Sequence, residues 1–357
     1  MSVQGWVQDR IPAANVHLDV AAAGRVSQAA LAAEVDHLRA EAEIGAYVAE
    51  AAAEPAITRG RAALGAMVGR GGGDVFFLDG ASTVFAALLD AWPLGTGARV
   101  GTVPSEFGSN ARALRQRADR NGWELVVLPV DQLGRIVGIP GGLDLLAFPH
   151  IPSQRGVVQP VVDVLAAGVP LILDVAQSLG QVDVPGGAAA YAGTSRKWLC
   201  GPRGVGFGIV DPAWHDQLPD PATAGGLEYD DLRRFDGNDP HVAGRVGLAM
   251  AARTWSPAVL PVQQAAASAA RVLLEGAGGW QVIEPVAEVS GITTLSHASA
   301  DPFATRLALL AEGFLVSAVP VTRSDDVAVP LLRVSTAAWV TPGDLEALAA
   351  ALPRCTR

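Results

Sequence analysis

The chain has 357 residues, half of them hydrophobic, and a formal net charge of −10 at neutral pH. An acidic chain without a basic run argues against nucleic acid and anionic membranes as partners, and no apolar run approaches a bilayer span. Its two cysteines, Cys200 and Cys355, have neither metal-ligand spacing nor a disulfide framework, and Asp9 and Arg10 lie where a leader would be apolar, so a soluble cytoplasmic protein is expected. The length favours two domains, a large one over 1–257 and a smaller one over 258–357.

In chain order, Val16-His17-Leu18-Asp19 predicts a short strand entering the turn Val20-Ala21-Ala22-Ala23-Gly24, whose small side chains let backbone approach a ligand closely. From Ser27 to Gly60 the spacing of Leu31, Val35, Leu38 and Ala42 predicts helix. Val75–Leu78 reads as a strand and Val84–Trp92 as a helix, which puts Gly80, Ala81, Ser82 and Thr83 where strand passes into helix. Free N–H groups and a partial positive charge there suit a phosphate, although Ser and Thr are also ordinary N-caps. The strand Arg99–Val103 leads to Glu106-Phe107 and a polar helix with Arg112, Arg115 and Arg117. An aromatic just past a strand end either stacks on a flat ring or joins the core.

Strands at Leu125–Leu128, Leu145–Phe148 and Leu171–Leu173 follow, with His150, Ser153 and Arg155 after the second and Asp174 and Gln177 after the third. Strand and helix alternating with short connections indicate a mainly parallel sheet covered on both faces. Ligands in such sheets sit at the carboxyl ends of the strands, where Ser82, Phe107, Ser153, Asp174 and Gln177 all fall. Asp174 follows three aliphatics and needs a partner, either the N–H groups of the next turn or a cationic ring nitrogen. Gly204–Val210 reads as a strand whose alternating glycines let something pack closely on one face. After a Pro/Asp/Gly-rich loop and helices at Val242–Thr254 and Val262–Glu275, residues from about Trp280 onward predict a small α+β domain. Arg333, in its last strand, must pair with an acid or hold a carboxylate in its fork.

Lys197 is the only lysine, so 25 of the 26 basic residues are arginine. A coding bias towards arginine replaces lysine where a cation suffices, but not where an amine must react. An amine can lose its proton and form a Schiff base; a guanidinium cannot. Lys197 lies between Thr194-Ser195-Arg196 and the turn Gly201-Pro202-Arg203-Gly204, a setting that suits an anionic aldehyde such as pyridoxal 5'-phosphate. The alternative is a leftover surface lysine.

The ordered set Leu18-Asp19, Gly80-Ala81-Ser82-Thr83, Glu106-Phe107, His150, Asp174-Val175-Ala176-Gln177, Thr194-Ser195-Arg196-Lys197, Gly201-Pro202-Arg203-Gly204-Val205-Gly206 and Arg333-Val334-Ser335 resembles the class V aminotransferase family of fold type I pyridoxal phosphate enzymes. The resemblance runs over nearly the whole chain. It implies an α/β large domain with a mainly parallel seven-stranded sheet, a small C-terminal α+β domain, and a homodimer with its active site at the interface. By the same resemblance Lys197 binds the cofactor covalently and shuttles the α-proton, Asp174 pairs with the pyridinium nitrogen, and Gln177 hydrogen-bonds the phenolate oxygen. Ala81, Ser82, Thr194 and Arg196 hold the phosphate, Phe107 stacks on the ring, and Arg333 takes the α-carboxylate of an amino-acid substrate. Ala22 is a further candidate substrate contact, and Arg155 is either a second anion contact or structural. Arg196 stands where many relatives have His, Ser153 where they often have Asn near the phenolate oxygen, and Asp236-Gly237-Asn238-Asp239-Pro240 where a Gly-Thr pair reaches the partner's phosphate.

A cysteine desulfurase needs a nucleophilic Cys on a loop of the C-terminal domain, and none lies between Cys200 and Cys355. β-Elimination, transamination and epimerisation remain. The wording around Lys197, with Pro-Ser-Gln-Arg-Gly at 152–156 and Gly-Arg-Val-Gly-Leu at 244–248, is most similar to members that cleave a carbon–sulfur bond in a cysteine S-oxide conjugated to trimethylated histidine. A class V aminotransferase or an epimerase of the isopenicillin N type is the alternative. A trimethylammonium group would seek an aromatic or acidic surface, for which Trp6, Trp198, Glu228 and Tyr229 are the candidates.

Overall fold

In the computed structural model, residues 2–221, 231–237 and 239–357 are described. The predicted first helix is two, α1 (Gln28–Ile44) and α2 (Ala46–Ala66), broken at Gly45 with φ +92°, which glycine adopts freely. The leucines whose spacing marked the helix do not face the core: Leu31 is 39% and Leu38 47% exposed, while Ala30 and His37 are buried. Small residues make the inward packing instead. A Cβ on Gly60 of α2 would lie 2.3 Å from the Ala249 Cβ, so only glycine permits that approach.

The central sheet contains β1 (Val75–Leu78), β2 (Arg99–Thr102), β3 (Glu124–Val127), β4 (Leu145–Pro149), β5 (Leu171–Asp174), β6 (Ala190–Thr194) and β7 (Gly206–Val210). Their order is β1-β7-β6-β5-β4-β2-β3, with β2 to β6 parallel and β7 antiparallel to both neighbours. Seven strands, mainly parallel, agree with the expected fold class. Helices α3 (Ala81–Ala91) and α4 (Gly108–Asn121) follow β1 and β2. Alternate residues of β5 point to opposite layers: Leu171 and Leu173 pack with Ile57 and Leu64 of α2, and Ile172 with Leu88 of α3 and Leu114 of α4. Burial on both faces is what a near-continuous aliphatic strand requires, at about 1.5 to 3 kcal/mol for each large side chain so enclosed.

The glycines of β7 do what their alternation predicted. A Cβ on Gly206 would fall 2.3 Å from the Gly80 carbonyl carbon, and one on Gly208 would meet the Phe76 ring at 2.1 Å. Gly206 thereby lets β7 lie against the turn that opens α3.

Helices α5 (Val242–Thr254) and α6 (Val259–Leu274) lead to a second sheet of β8 (Gln281–Val282), β9 (Ile292–Ser296), β10 (Ser317–Val319) and β11 (Leu331–Ser335), ordered β10-β11-β9-β8 and antiparallel. α7 (Pro302–Ala311) and α8 (Pro342–Cys355) enclose its core around Trp280, Leu309 and Leu348. The N-terminal segment, read from sequence with the large domain, joins this part: Val16 and His17 pair in parallel with Phe314 and Leu315, and Asp19 bridges to Ser335. Leu18 is wholly buried in the same core.

Candidate active site

A cavity of about 310 Å³ opens at the carboxyl ends of the parallel strands, and Lys197 lies in its wall. The lysine follows β6 in a loop folded tightly on itself, with the Ser195 N–H donating to Val205 O and the Gly201 N–H to Ser195 O, both at 3.0 Å. The small-residue turn closes it from the other side. Gly24 N–H donates to Arg196 O at 2.7 Å, and a Cβ there would lie 2.3 Å from Lys197 O. The close backbone approach foreseen for this turn is thus made to the lysine loop, and Ala22 is not in the cavity wall. Burial lowers the Lys197 amine to a pKa of about 7, assisted by Arg196, Arg333 and Arg323 and opposed by Asp174. At neutral pH much of it is therefore an uncharged nucleophile.

Asp174 ends β5 and is 7% exposed. Its Oδ1 accepts from Ala176 N–H and its Oδ2 from Asn110 Nδ2, each at 2.8 Å. Burial raises its pKa, while Lys197 and these two donors oppose the rise. Asn110 also donates to Glu106 Oε1 at 3.2 Å, and burial together with Asp174 pushes Glu106 well above the usual carboxylate range. Two carboxyl groups sharing one amide cannot both ionise cheaply, so a cation beside Asp174 would fix the charge there. Asn110 was not singled out from the sequence; its place one helical turn after Glu106 was the available signal.

Gln177 is oriented by two partners. The Trp198 indole, a donor only, gives its N–H to Gln177 Oε1 at 2.9 Å, which turns Nε2 towards Ala21 O, also at 2.9 Å. One Nε2 hydrogen stays available, and Gln177 lines the cavity. Opposite, α3 begins at Ala81 without a side-chain cap, so its first N–H groups are free where Ala81, Ser82 and Thr194 meet Arg196. Arg203, Thr83 and the carboxylate of Asp79 share this wall, unassigned by sequence reasoning although Arg203 and Thr83 stood inside quoted motifs. Among the described residues, the guanidinium groups of Arg196 and Arg203 have no ion pair or hydrogen bond to a protein group. Phe107, at the N-cap of α4, and Ser153 complete the predicted set.

Two expected substrate contacts do not line this cavity. Arg155 is paired with Asp326 at 2.8 Å and lines a separate cavity with Pro104 and Ser105, because the loop before β11 brings that acid to it. Arg333, 5% exposed, donates to Ser153 O at 2.8 Å, Asp19 Oδ1 at 3.1 Å and Ser317 Oγ at 3.2 Å, and its buried Nε has no partner among the described residues. It supports the wall behind Ser153 and is not among the residues that line the cavity. Trp198 is 1% and Trp6 4% exposed, the latter stacked on Trp339 with Arg10 over its face, so neither can receive a trimethylammonium group. Glu228, Tyr229 and Asn238 lie outside the described residues. Asp236 is bound up in structure: it takes Arg61, Arg245 at 3.2 Å and the Phe77 N–H at 2.7 Å. Both cysteines are buried away from the cavity.

A poised amine, a buried acid reached through the cavity and an uncapped helix start beside two unpaired guanidinium groups together fit pyridoxal 5'-phosphate, whose aldehyde, ring nitrogen and phosphate need those three partners. Residues 16–348 match the class V aminotransferase model, and the chain belongs to that family of pyridoxal 5'-phosphate enzymes. The chain is 35% identical, over 98% of its length and 93% of the relative's, to a "probable hercynylcysteine sulfoxide lyase" of Mycobacterium tuberculosis (strain CDC 1551 / Oshkosh). In fold it is similar to an apo cysteine desulfurase of Thermococcus onnurineus NA1 (TM-score 0.89, 16% identity, 100% of this chain and 98% of that one). It is similar also to a cystine C–S lyase bound to its reaction product cysteine persulfide (TM-score 0.85, 17% identity, 96% and 98%). Among the described residues no helix is long and apolar enough to cross a membrane.

Proposed function

We propose that the protein is a pyridoxal 5'-phosphate-dependent carbon–sulfur lyase that cleaves hercynylcysteine sulfoxide by β-elimination. The carrying observation is the 35% identity over 98% of the chain to the mycobacterial relative of that name. The absence of a cysteine from the described cavity wall supports elimination over desulfuration, since a sulfoxide leaves without an enzyme thiol.

When bound, pyridoxal 5'-phosphate withdraws electrons from the α-carbon of the amino acid it carries. The chain's residues do the rest. Lys197 would anchor the cofactor and take the substrate's Cα proton on Nζ. Asp174, held by Asn110 and Ala176, would keep the ring nitrogen protonated. Gln177 would offer Nε2–H to the phenolate oxygen, and Arg196, Ser82 and the α3 N–H groups would hold the phosphate. The Cβ–S bond breaks with its electron pair on the sulfur side, which leaves as a sulfenic acid after gaining a proton. The three-carbon fragment takes up one water and ends as pyruvate and ammonia.

The test is pyruvate formation from hercynylcysteine sulfoxide by the loaded enzyme. Pyruvate and ammonia in equal amounts without a keto-acid acceptor support the lyase; turnover only with a keto acid would place the enzyme with the aminotransferases. We also read the protein as a homodimer. The exposed apolar surface of α1 and α2, with Leu38, Ile44 and Tyr47 at 47%, 52% and 87% exposure, supports it, and a molar mass by light scattering tests it.

A further inference from the structure

We propose that a second cavity, on the outer side of Phe107, is an anion subsite that receives a carboxylate at the far end of the substrate's S-substituent. The proposal rests on the lyase reading for its substrate, and on the protein's own cations for its location. The cavity measures about 470 Å³ and lies between the start of α4 and the loop from β10 to β11, with Arg112 and Arg323 on its walls. Phe107 lines this cavity and the Lys197 cavity alike, so a substituent leaving the first site needs to pass only one ring to enter the second.

The charges around the loop are sorted. Its acids turn away: Asp325 pairs with Arg115, and Asp326 with Arg155 and Ser324. The Asp325 N–H is fastened to Pro104 O at 3.1 Å, which holds the loop against the large domain. Arg323 is left 5.5 Å from the Phe107 ring centroid with a buried Nε that has no partner among the described residues. Among the described residues, the guanidinium groups of Arg112 and Arg323 have no ion pair or hydrogen bond. A buried guanidinium N–H without an acceptor is unfavourable, and a planar carboxylate is the ligand whose two oxygens match its fork. A cysteine S-oxide conjugated to trimethylated histidine carries such a carboxylate on the side chain distal to sulfur.

The experiment titrates the loaded enzyme with two unoxidised thioethers that lack a good leaving group, S-(3-carboxypropyl)cysteine and S-butylcysteine, and follows binding by calorimetry. Wild type is expected to bind the carboxylate-bearing probe roughly ten- to hundredfold more tightly. Arg323→Gln and Arg112→Gln should each remove most of that preference while leaving S-butylcysteine within about twofold. Arg112 is exposed on α4, so its variant decides the matter should Arg323→Gln fold poorly. No preference in wild type, or equal loss for both probes, overturns the subsite even if pyruvate forms from the sulfoxide. A preference that the variants abolish, without pyruvate from the sulfoxide, keeps the subsite and removes the elimination reading.

Discussion

The arginines around Asp236 and those around Lys197 are the same residue in opposite situations. Arg61 and Arg245 are buried, share one carboxylate, donate to Val75 O and Phe77 O, and lie over the Phe77 ring. Arg196, Arg203 and Arg323 face cavities and have no acid paired with them among the described residues. In a chain with 25 arginines the residue type says little about function; the presence or absence of a partner separates structural cations from those kept for a ligand.

Substitutions should divide along that line. The largest effect is expected from Asp236→Ala, which leaves two buried guanidinium groups without their acid and should cost about 3 to 5 kcal/mol in urea unfolding. Molecules still folded should bind pyridoxal 5'-phosphate as wild type does. Arg196→Gln should do the reverse, weakening cofactor affinity about ten- to hundredfold, the worth of a charge-assisted hydrogen bond, with little change in the unfolding midpoint. The smallest effect belongs to Arg155→Ala. Its partner Asp326 keeps Gln154 and Ser324, so activity should stay within about twofold and stability within about 1 kcal/mol. A large loss of activity there would return Arg155 to the site.

What the sequence revealed follows from how local each signal was. Strand β1 was predicted to the residue, because an apolar run bounded by turn residues is local evidence. Strand β6, which delivers Lys197, was not read from its residues: Ala190-Tyr191-Ala192-Gly193-Thr194 has low strand propensity, and its place between β5 and β7 makes it a strand. The placement of Asp174, Gln177 and Phe107 in the cavity wall was legible, since Asp174 ends β5, Gln177 lies in the turn after it and Phe107 opens α4. The partners of Arg155 and Arg333 were not, because these acids, Asp326 and Asp19, lie 171 and 314 residues away in sequence. Which face of α1 turns inward was not legible for a related reason. The apolar spacing was present, but the facing helix α5 offers small residues that draw in Ala30 and not Leu31.

The most direct test of Lys197 as the centre of the site is cofactor capture by the apoprotein, followed by absorbance for wild type and Lys197→Ala across pH. Only an unprotonated amine attacks an aldehyde, and the Lys197 amine has a pKa of about 7. Capture by wild type should therefore rise about tenfold per pH unit below that value and level off above it. A band near about 420 nm in wild type alone, with that pH profile, is the result predicted here. The same band in Lys197→Ala, or a capture rate still rising towards pH 10 as for an ordinary lysine, would contradict it.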